Sequence, residues 1–212
     1  MRDFPVFATQ HGAASLTLRE IPYQGIAYIR LQETRDPEQL LRECTEFCVA
    51  VGAKTIYASG NGFLEAYPLH TEIWEMARSS DNLPYTNAEL ISVSMEKLDD
   101  WRSIYNQRMK GVANAATMTL ADAQKHLDQG SGYYIYKDGV VIGIGVSQGD
   151  TIHAVISLVP GAGKDVLLAL CTVLTGRKIK IEVASNNTPG VRLYERLGFQ
   201  YISTASKWYR IK

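Results

Sequence analysis

The sequence predicts a mixed α/β fold in which a mostly antiparallel sheet has a central pair of parallel strands and is flanked by helices. Three stretches with the alternating apolar pattern of strands form a meander, GYYIYKDG, VVIGIGVSQGD and TIHAVISLV. A glycine turn and an apolar-faced helix follow in VPGAGKDVLLALCTVL, and then the strand KIKIEVAS. A strand, a helix and a strand in that order require a parallel crossover.

The N-terminal half supplies its own elements. SLTLRE and IAYIRLQ alternate as a β-hairpin should. DPEQLLRECTEFCVAVGA reads as a helix with Asp36 as its cap, and its apolar face consists of Leu40, Leu41, Cys44, Phe47, Cys48 and Val51. KTIYAS is predicted to be a strand and HTEIWEMARSS another helix.

Turn-forming residues in SSDNLPYTN make the best linker, so we predict domains at 1–85 and 86–212. Beyond it come a strand in ELISVS, a helix around LDDWRSIYNQRM and a second helix that Thr119 and Asp122 open as a capping box. The meander turns at Lys137-Asp138-Gly139. After the helix TPGVRLYERL, a terminal pair of strands is predicted around FQYIST and KWYRI.

Charge and composition exclude several classes of function. The 212 residues include 22 basic and 22 acidic side chains, so no overall field favours nucleic acid or an anionic membrane. No apolar run approaches the length of a membrane span, and MRDFPVFATQHG lacks the apolar core of a secretion signal. We therefore expect a cytoplasmic protein without nucleic-acid or membrane partners.

The three cysteines do not have the spacing of a zinc site or a disulfide framework. Cys44 and Cys48 lie four apart in a helical pattern, which favours buried small side chains over a redox pair. No metal site is predicted.

The chain also shows a short internal similarity. LLRECTEFCVAVGAKTIYASGN and LLALCTVLTGRKIKIEVASNN share Leu-Leu, Cys-Thr, a basic-led strand, Ala-Ser and Asn in the same order. A partial repeat would explain this order, and chance similarity between two helix–strand units would explain it as well.

The glycine turn is the first candidate for a binding site. GAGK is neither a P-loop, which would need glycine at 158 and a hydroxyl at 165, nor a dinucleotide fingerprint, which would need glycine at 166. What remains is a helix N-terminus with bare backbone amides that can hold a pyrophosphate. The alternative is a turn that joins strand to helix and binds nothing.

A second motif follows in NTPGVRLYERLGF. Asn187, Leu193-Tyr194 and Gly198-Phe199 resemble the N-x-x-A-x-x-L-Y-x-x-x-G-F pattern of the GNAT (Gcn5-related) acetyltransferase superfamily, with Gly190 where alanine is usual. The glycine turn resembles the acyl-CoA loop of that superfamily, Q/R-x-x-G-x-G/A, with Leu158 in place of Gln or Arg. The resemblance covers residues 86–212, and residues 1–85 would be a partial GNAT-like copy.

This resemblance implies acetyl-CoA as cosubstrate and a splay between the two parallel strands that admits its pantetheine arm. By the resemblance, Leu158 and Val159 would bond the arm through their backbones. The pyrophosphate would lie on Gly161, Ala162, Gly163 and Lys164, and Asn187 would contact the arm near the helix start.

Acetyl transfer to an amine needs a base for the ammonium and an acid for the departing thiolate. In some GNAT enzymes a Glu in this strand is the base and the tyrosine of the next helix is the acid, and Glu182 and Tyr194 match both positions. Glu182 could instead be a salt-bridge partner, and Tyr194 a core aromatic. His153 is a further candidate base, acting through water, or a plain strand histidine.

Two functions therefore compete. One is an N-acetyltransferase that acts on a primary amine of a small molecule or peptide in a ternary complex. The other is a non-catalytic GNAT-like module that binds acyl-CoA or a partner. A homodimer is a further expectation, and the N-terminal half would complete the sheet or cover the acceptor cleft.

Overall fold

The computed structural model describes residues 5–113 and 115–212 of the chain. These residues form two compact units. The first unit contains the residues up to Ile73 and the C-terminal segment Thr204–Lys212, and the second contains Trp74–Ser203.

The first unit opens with a short meander. Its elements are β1 (Val6–Thr9), β2 (Gly12–Thr17), α1 (Ile21–Gln24), β3 (Ile26–Thr34), α2 (Pro37–Ala50), β4 (Thr55–Ser59), a 3₁₀ helix (Gly62–Ala66) and the first residues of β5 (Leu69–Ser79). The last residues of β11 (Gln200–Arg210) also belong to it.

Strands β1, β2 and β3 pair antiparallel, which confirms the predicted hairpin. Helix α2 then crosses over so that β4 pairs parallel to β3, from Ile26 with Thr55 to Arg30 with Ser59. Strand β11 pairs antiparallel with β4. The apolar core of this unit lies between the strands and α2.

Helix α2 forms where its cap predicts. The Asp36 carboxylate accepts a hydrogen bond from the Gln39 amide at 3.0 Å, and Pro37 fits the first turn, where its missing N–H has no helical partner. Part of the predicted apolar face is buried, but Phe47 and Val51 are 38% and 43% exposed. The predicted apolar face of α2 was therefore wider than the face that is buried.

The second unit carries the longer run of elements. They are the end of β5, β6 (Glu89–Ser92), a 3₁₀ helix (Met95–Lys97), α3 (Leu98–Met109), α4 (Leu120–Asp128), β7 (Gly132–Lys137), β8 (Val140–Gln148), β9 (Thr151–Ser157), α5 (Gly163–Cys171), β10 (Lys178–Ala184), α6 (Thr188–Arg196) and the start of β11.

Its strands follow the order β5-β10-β9-β8-β7-β6. The pairs from β6 to β9 are antiparallel, and β9 and β10 are parallel, joined by α5. The predicted meander and crossover are confirmed. Asp138 and Gly139 both adopt positive φ in the β7–β8 turn, as a tight hairpin turn requires.

Two apolar clusters fill the second unit, one around α5 and one around Trp101 of α3. Helix α5 can lie close to the sheet because β8 presents glycines to it. A Cβ at Gly143 would lie 2.4 Å from Val166, and one at Gly145 would lie 2.4 Å from Leu170. These two glycines thus fix the helix that begins at the glycine turn.

Helix α4 has the predicted capping box. The Asp122 amide donates to the Thr119 hydroxyl at 3.1 Å, and the Thr119 amide donates to the Asp122 carboxylate at 3.0 Å. None of the helices in the described part of the chain has both the length and the apolar character needed to cross a membrane.

Two predictions of secondary structure were wrong. HTEIWEMARSS is not a helix but most of strand β5, and the terminal pair of strands is one continuous strand, β11. Glu, Met, Ala and Arg favour helices locally, but tertiary pairing decides the state of this segment.

Both units show the same order of elements, a three-stranded antiparallel meander, a crossover helix and a parallel strand. The division into domains 1–85 and 86–212 remains a prediction. Two compact units with the same order of elements need not be copies of one ancestral domain.

Candidate functional site

The two parallel strands of the second unit pair over a short distance. Thr151 pairs with Lys180, and Ile152 pairs with Ile181. Beyond these positions β9 runs on to Ser157 and β10 to Ala184, with no further pair between them in the described chain. The parallel pairing in the described chain thus ends at Ile152 and Ile181.

His153 lies in a β-bulge at the start of this unpaired stretch. On the neighbouring strand Val146 is opposite Ala154 and Ser147 is opposite Ile152, so His153 is the extra residue of β9. Bulges re-aim side chains and are common beside active sites. The His153 side chain is exposed.

Glu182 follows the last paired residue of β10 and is also exposed. Its neighbour Lys180 pairs with Asp150 at 2.8 Å. Among the described residues no cation lies within ion-pair distance of Glu182, so its charge is stabilised by solvent rather than by a salt bridge. The structure thus places both candidate bases, Glu182 and His153, at the point where pairing ends.

The glycine turn connects the end of β9 to α5. Gly161 adopts φ +83°, a conformation in which other residues are strained. The Ala162 amide donates to the Val159 carbonyl, and the first helical bond runs from the Val166 amide to the Ala162 carbonyl at 3.0 Å. The amides of Gly163, Lys164 and Asp165 precede that bond and have no helical partner.

One carboxylate lies in the first turn of α5 but is neutralised. Asp165 accepts hydrogen bonds from Lys137 at 2.7 Å and from the Thr86 hydroxyl at 2.9 Å. The bond from Lys137 lowers the pKa of Asp165. The positive end of the helix dipole is therefore not cancelled by an unpaired acid.

A cleft of about 820 Å³ opens at this turn. The turn contributes Leu158, Val159, Gly161, Gly163 and Lys164 to its wall. The rest of the wall consists of Pro84, Arg108, Ser157, Pro160, Pro189, Leu193, Arg196 and Leu197.

Three cations, Arg108, Lys164 and Arg196, surround this cleft, and the described residues that line it include no carboxylate. All three side chains are exposed, and within the described chain none of them forms an ion pair. Arrays of guanidinium and ammonium groups beside free backbone amides are suited to binding phosphates.

Sequence reasoning missed Arg108 and Arg196. Arg108 comes from α3, 50 residues before the turn, and Arg196 from the end of α6. No local spacing connects them to GAGK, because the fold alone brings the three elements together. Leu158 contributes no charge to the cleft, and the two arginines do.

Asn187 has a structural role at the start of α6. Its side-chain oxygen accepts from the Gly190 amide at 3.2 Å. A Cβ at position 190 would lie 2.9 Å from Asn187 Nδ2, so an alanine there would require the Asn187 side chain to shift. Asn187 is near the cleft wall formed by Pro189 but does not line the cleft.

Tyr194 lies in the core of the second unit. It is 7% exposed, and its ring is 6.0 Å from that of Phe199. Burial raises the pKa of its hydroxyl to about 12. Its neighbours Leu193 and Leu197 line the cleft, whereas Tyr194 does not, and neither do Glu182, His153 and Ala162.

Comparisons with known proteins support this architecture. No protein-family model matches the chain, and no curated protein matches it. A solved GCN5-related N-acetyltransferase from Kribbella flavida matches with a TM-score of 0.57 at 12% identity, covering 99% of this chain and 89% of that one. The fold is GNAT-like.

Two further structures share this GNAT-like fold. A functionally unknown conserved protein from Staphylococcus epidermidis matches with a TM-score of 0.62 at 12% identity over 98% of this chain and 93% of that chain. A tandem GNAT protein from the clavulanic acid biosynthesis pathway matches with a TM-score of 0.51 at 12% identity, covering 94% of this chain and 78% of that chain. At such identities the GNAT-like fold is established, and the reaction is a separate question.

Proposed function

We propose that this protein is an N-acetyltransferase that transfers the acetyl group of acetyl-CoA to a primary amine by direct attack in a ternary complex. The observation that carries the proposal is the loss of pairing between β9 and β10 after Ile152 and Ile181. Two exposed candidate bases follow these residues directly, and a cationic cleft lies at the end of β9. Each part of the site then has a task in this reaction.

The unpaired stretch between β9 and β10 would receive the pantetheine arm. Pantetheine contains amides, and an extended chain with amides can bond a strand edge as another strand would. Backbone groups of β9 beyond Ile152 would bond the arm in that gap, and Leu158 and Val159 line the cleft at its end. We propose that the parallel strands splay here to admit the arm.

The phosphates of the cosubstrate would occupy the cleft at the glycine turn. The backbone from Gly161 through Ala162 and Gly163 to Lys164 presents amides to the pyrophosphate. Arg108 and Arg196 would supply the charge-assisted bonds that a Gln or Arg at position 158 usually provides in this family. Asn187 would remain the cap of α6 and approach the arm from that helix.

Glu182 is the proposed general base. An amine is protonated near neutral pH and must lose a proton before it can attack the thioester carbon. An exposed carboxylate at the start of the gap can take that proton directly or through one water. His153 is the second candidate because it occupies the corresponding position on β9.

The bulge at His153 would help to polarise the thioester carbonyl. Backbone amides beyond the bulge that are not bonded to β8 would point into the gap, and such fixed donors stabilise the oxyanion of the tetrahedral intermediate. As the intermediate collapses, the carbon–sulfur bond breaks and the electron pair leaves with the thiolate.

Tyr194 would stabilise that thiolate. A hydroxyl with a pKa of about 12 keeps its proton at neutral pH, whereas an ordinary thiol has a pKa of about 8.5. The phenol therefore suits a hydrogen bond donated to the sulfur better than complete proton transfer. Water would then supply the proton that completes the free thiol.

One observation favours the alternative of a non-catalytic acyl-CoA-binding module. Tyr194 is buried against Phe199 and does not reach the cleft, so the acid position of the GNAT motif can be read as a core aromatic. In that case the cationic cleft would still bind the cosubstrate, and no acetyl transfer would follow.

We further propose that residues 1–85 are a partial GNAT-like copy that does not bind acetyl-CoA. The first unit has the same order of strands, and one structural neighbour is a tandem GNAT protein. However, β3 and β4 pair at five positions up to Arg30 and Ser59, and Asp36 and Glu38 stand at the start of α2. That arrangement offers no gap, and its carboxylates would repel a phosphate.

The test is a turnover assay with acetyl-CoA and a panel of primary amines that covers small amines, polyamines and peptide N-termini, with release of free thiol as the readout. Thiol release that depends on one amine class, with an acetylated product confirmed by mass, supports the enzyme. Tight acetyl-CoA binding without thiol release for any amine supports the binding module instead.

A further inference from the structure

A second depression lies beside the cationic cleft in the second unit. One wall is a face of α3 that includes Asp100 and Gln107, preceded by Lys97. The other wall contains Tyr134 and Tyr136 of β7. Its volume is about 640 Å³, within the usual range for small-molecule sites. We call it the tyrosine groove.

The tyrosine groove and the cationic cleft adjoin each other. Leu158 lines both of them. Helix α3 also contributes to both, with Gln107 in the groove and the adjacent Arg108 in the cleft. A ligand whose phosphates lie in the cleft can therefore extend into the groove.

The two depressions differ in charge. The cleft has three cations and, among its described lining residues, no carboxylate, whereas the groove has one cation, Lys97, and one carboxylate, Asp100. Phosphates are therefore favoured in the cleft and an uncharged group in the groove.

The groove has the groups that recognise a purine ring. The Tyr134 hydroxyl donates to the Lys97 carbonyl at 3.2 Å, which fixes that ring. The half-buried Tyr136 ring lies 6.4 Å from it, at 50°. Aromatic rings stack on nucleobases, the Asp100 carboxylate can accept from an exocyclic amino group, and the Gln107 amide can both donate and accept.

We infer that the tyrosine groove holds the adenine ring of acetyl-CoA, stacked on Tyr136, while the adjoining cleft holds the phosphates. This inference rests on the proposed function, because it takes acetyl-CoA as the ligand of the cleft. Asp100 accepts a hydrogen bond from the adenine amino group.

The acceptor amine is a poorer occupant for this groove. Leu158 follows His153 by five residues along β9, which is about 16 Å of extended chain. An amine held beside Leu158 would therefore lie far from His153. The nucleotide end of the cosubstrate, in contrast, must lie beside its own phosphates.

The first experiment compares two ligands by calorimetry. Acetyl-CoA is titrated beside acetyl-4′-phosphopantetheine, which keeps the arm and one phosphate but lacks the adenosine. Tyr136→Ala is expected to weaken acetyl-CoA binding by about tenfold and to leave the truncated ligand unaffected. Tyr136→Phe should restore binding, since it keeps the stacking ring, and Tyr23→Ala, an exposed tyrosine of the first unit, is the control.

Asp100 is exposed, so the second variant, Asp100→Ala, should fold normally. It should weaken acetyl-CoA binding several-fold and leave the truncated ligand unaffected. Equal losses for both ligands, or no loss of acetyl-CoA affinity in either variant, would overturn the inference and leave the proposed function intact. If the unaltered protein does not bind acetyl-CoA, the inference about adenine and the proposed function are both wrong.

A second measurement does not depend on the truncated ligand. Etheno-CoA carries a fluorescent adenine whose amino group is closed into the etheno ring, so it tests the stacking on Tyr136 and not the bond to Asp100. Iodide quenches its fluorescence when the base is exposed to solvent. Bound to the unaltered protein, the base should be shielded from iodide, and in Tyr136→Ala it should become accessible. A bound ligand whose base is as accessible as in free solution would show that adenine lies outside the groove.

Discussion

Ile152 and Ile181 form the last backbone pair between β9 and β10 in the described chain, and His153 and Glu182 come directly after them. The parallel pairing therefore ends immediately before both candidate bases, and both side chains are exposed. The glycine turn and the cationic cleft lie at the other end of β9, as our proposal of a long thioester substrate requires.

The two bases can be separated by substitution. Glu182→Gln is expected to lower kcat by about 10²-fold or more, because the amide cannot accept the ammonium proton, while His153→Asn has a much smaller effect. Glu195→Gln, an exposed glutamate of α6, is the matched control. Steady-state kinetics with a confirmed amine would decide, and the opposite ranking would assign the base to His153.

Tyr194→Phe tests the role of the buried hydroxyl. We expect acetyl-CoA affinity to stay nearly unchanged and turnover to fall by about ten- to a hundredfold, because a hydrogen bond to a charged group contributes about 1.5–3 kcal/mol. A loss beyond that range would indicate full proton transfer. Unchanged turnover with an unchanged melting temperature would leave Tyr194 as a core aromatic.

Gly190→Ala restores the usual GNAT residue but should stabilise this protein less than replacing glycine by alanine usually does inside a helix. The new Cβ would lie 2.9 Å from Asn187 Nδ2 and would displace the side chain that caps α6. Loss of a helix cap costs about 1 kcal/mol, measurable by urea unfolding. Because both changes act on one cap, Gly190→Ala should be more stabilising in an Asn187→Ala background, and simple additivity would refute this explanation.

The buried cysteines should be chemically inert. Burial raises the pKa of Cys44 to about 12 and those of Cys48 and Cys171 to about 11, from an ordinary value of 9.0. At pH 8 the folded protein should not react with a thiol reagent, whereas in urea all three thiols should react. Rapid modification of a thiol in the folded protein would contradict this.

The same shifts set a pH dependence of stability. The unfolded thiols lose protons near pH 9 and the folded ones only near pH 11 to 12, so the folded state binds more protons between these values. The contribution of the thiols to stability is therefore complete below pH 9 and decreases as the pH rises through that window. Unfolding curves recorded across it should show the decline.

Much of the fold follows from local patterns. The alternation in β7, β8 and β9, the glycine turn, and the caps at Asp36 and Thr119 all lie within a few residues of the elements they specify. The burial of Cys44 and Cys48 was likewise expected from their spacing on α2. These signals are physical properties of short segments, and so they can be read without the tertiary structure.

The rest depends on contacts between distant residues. Strand β5 contains good helix formers, and only its neighbours in the sheet make it a strand. The bulge at His153 depends on the register with Ser147, and Arg108 reaches the cleft from α3. The sequence motif predicted candidate residues for the site, but the early loss of pairing between β9 and β10 and the two arginines became visible only in the folded chain.

The central claim is that the cleft at the glycine turn binds acetyl-CoA, and calorimetric titration with acetyl-CoA and with CoA tests it most directly. We predict micromolar binding of both, lost in Gly163→Glu, which places a carboxylate among the proposed phosphate contacts and a Cβ 3.1 Å from Leu193. Gly62→Glu, at an open position of the first unit, should bind normally. Retained binding in Gly163→Glu, or no binding by the unaltered protein at millimolar concentration, would contradict the claim.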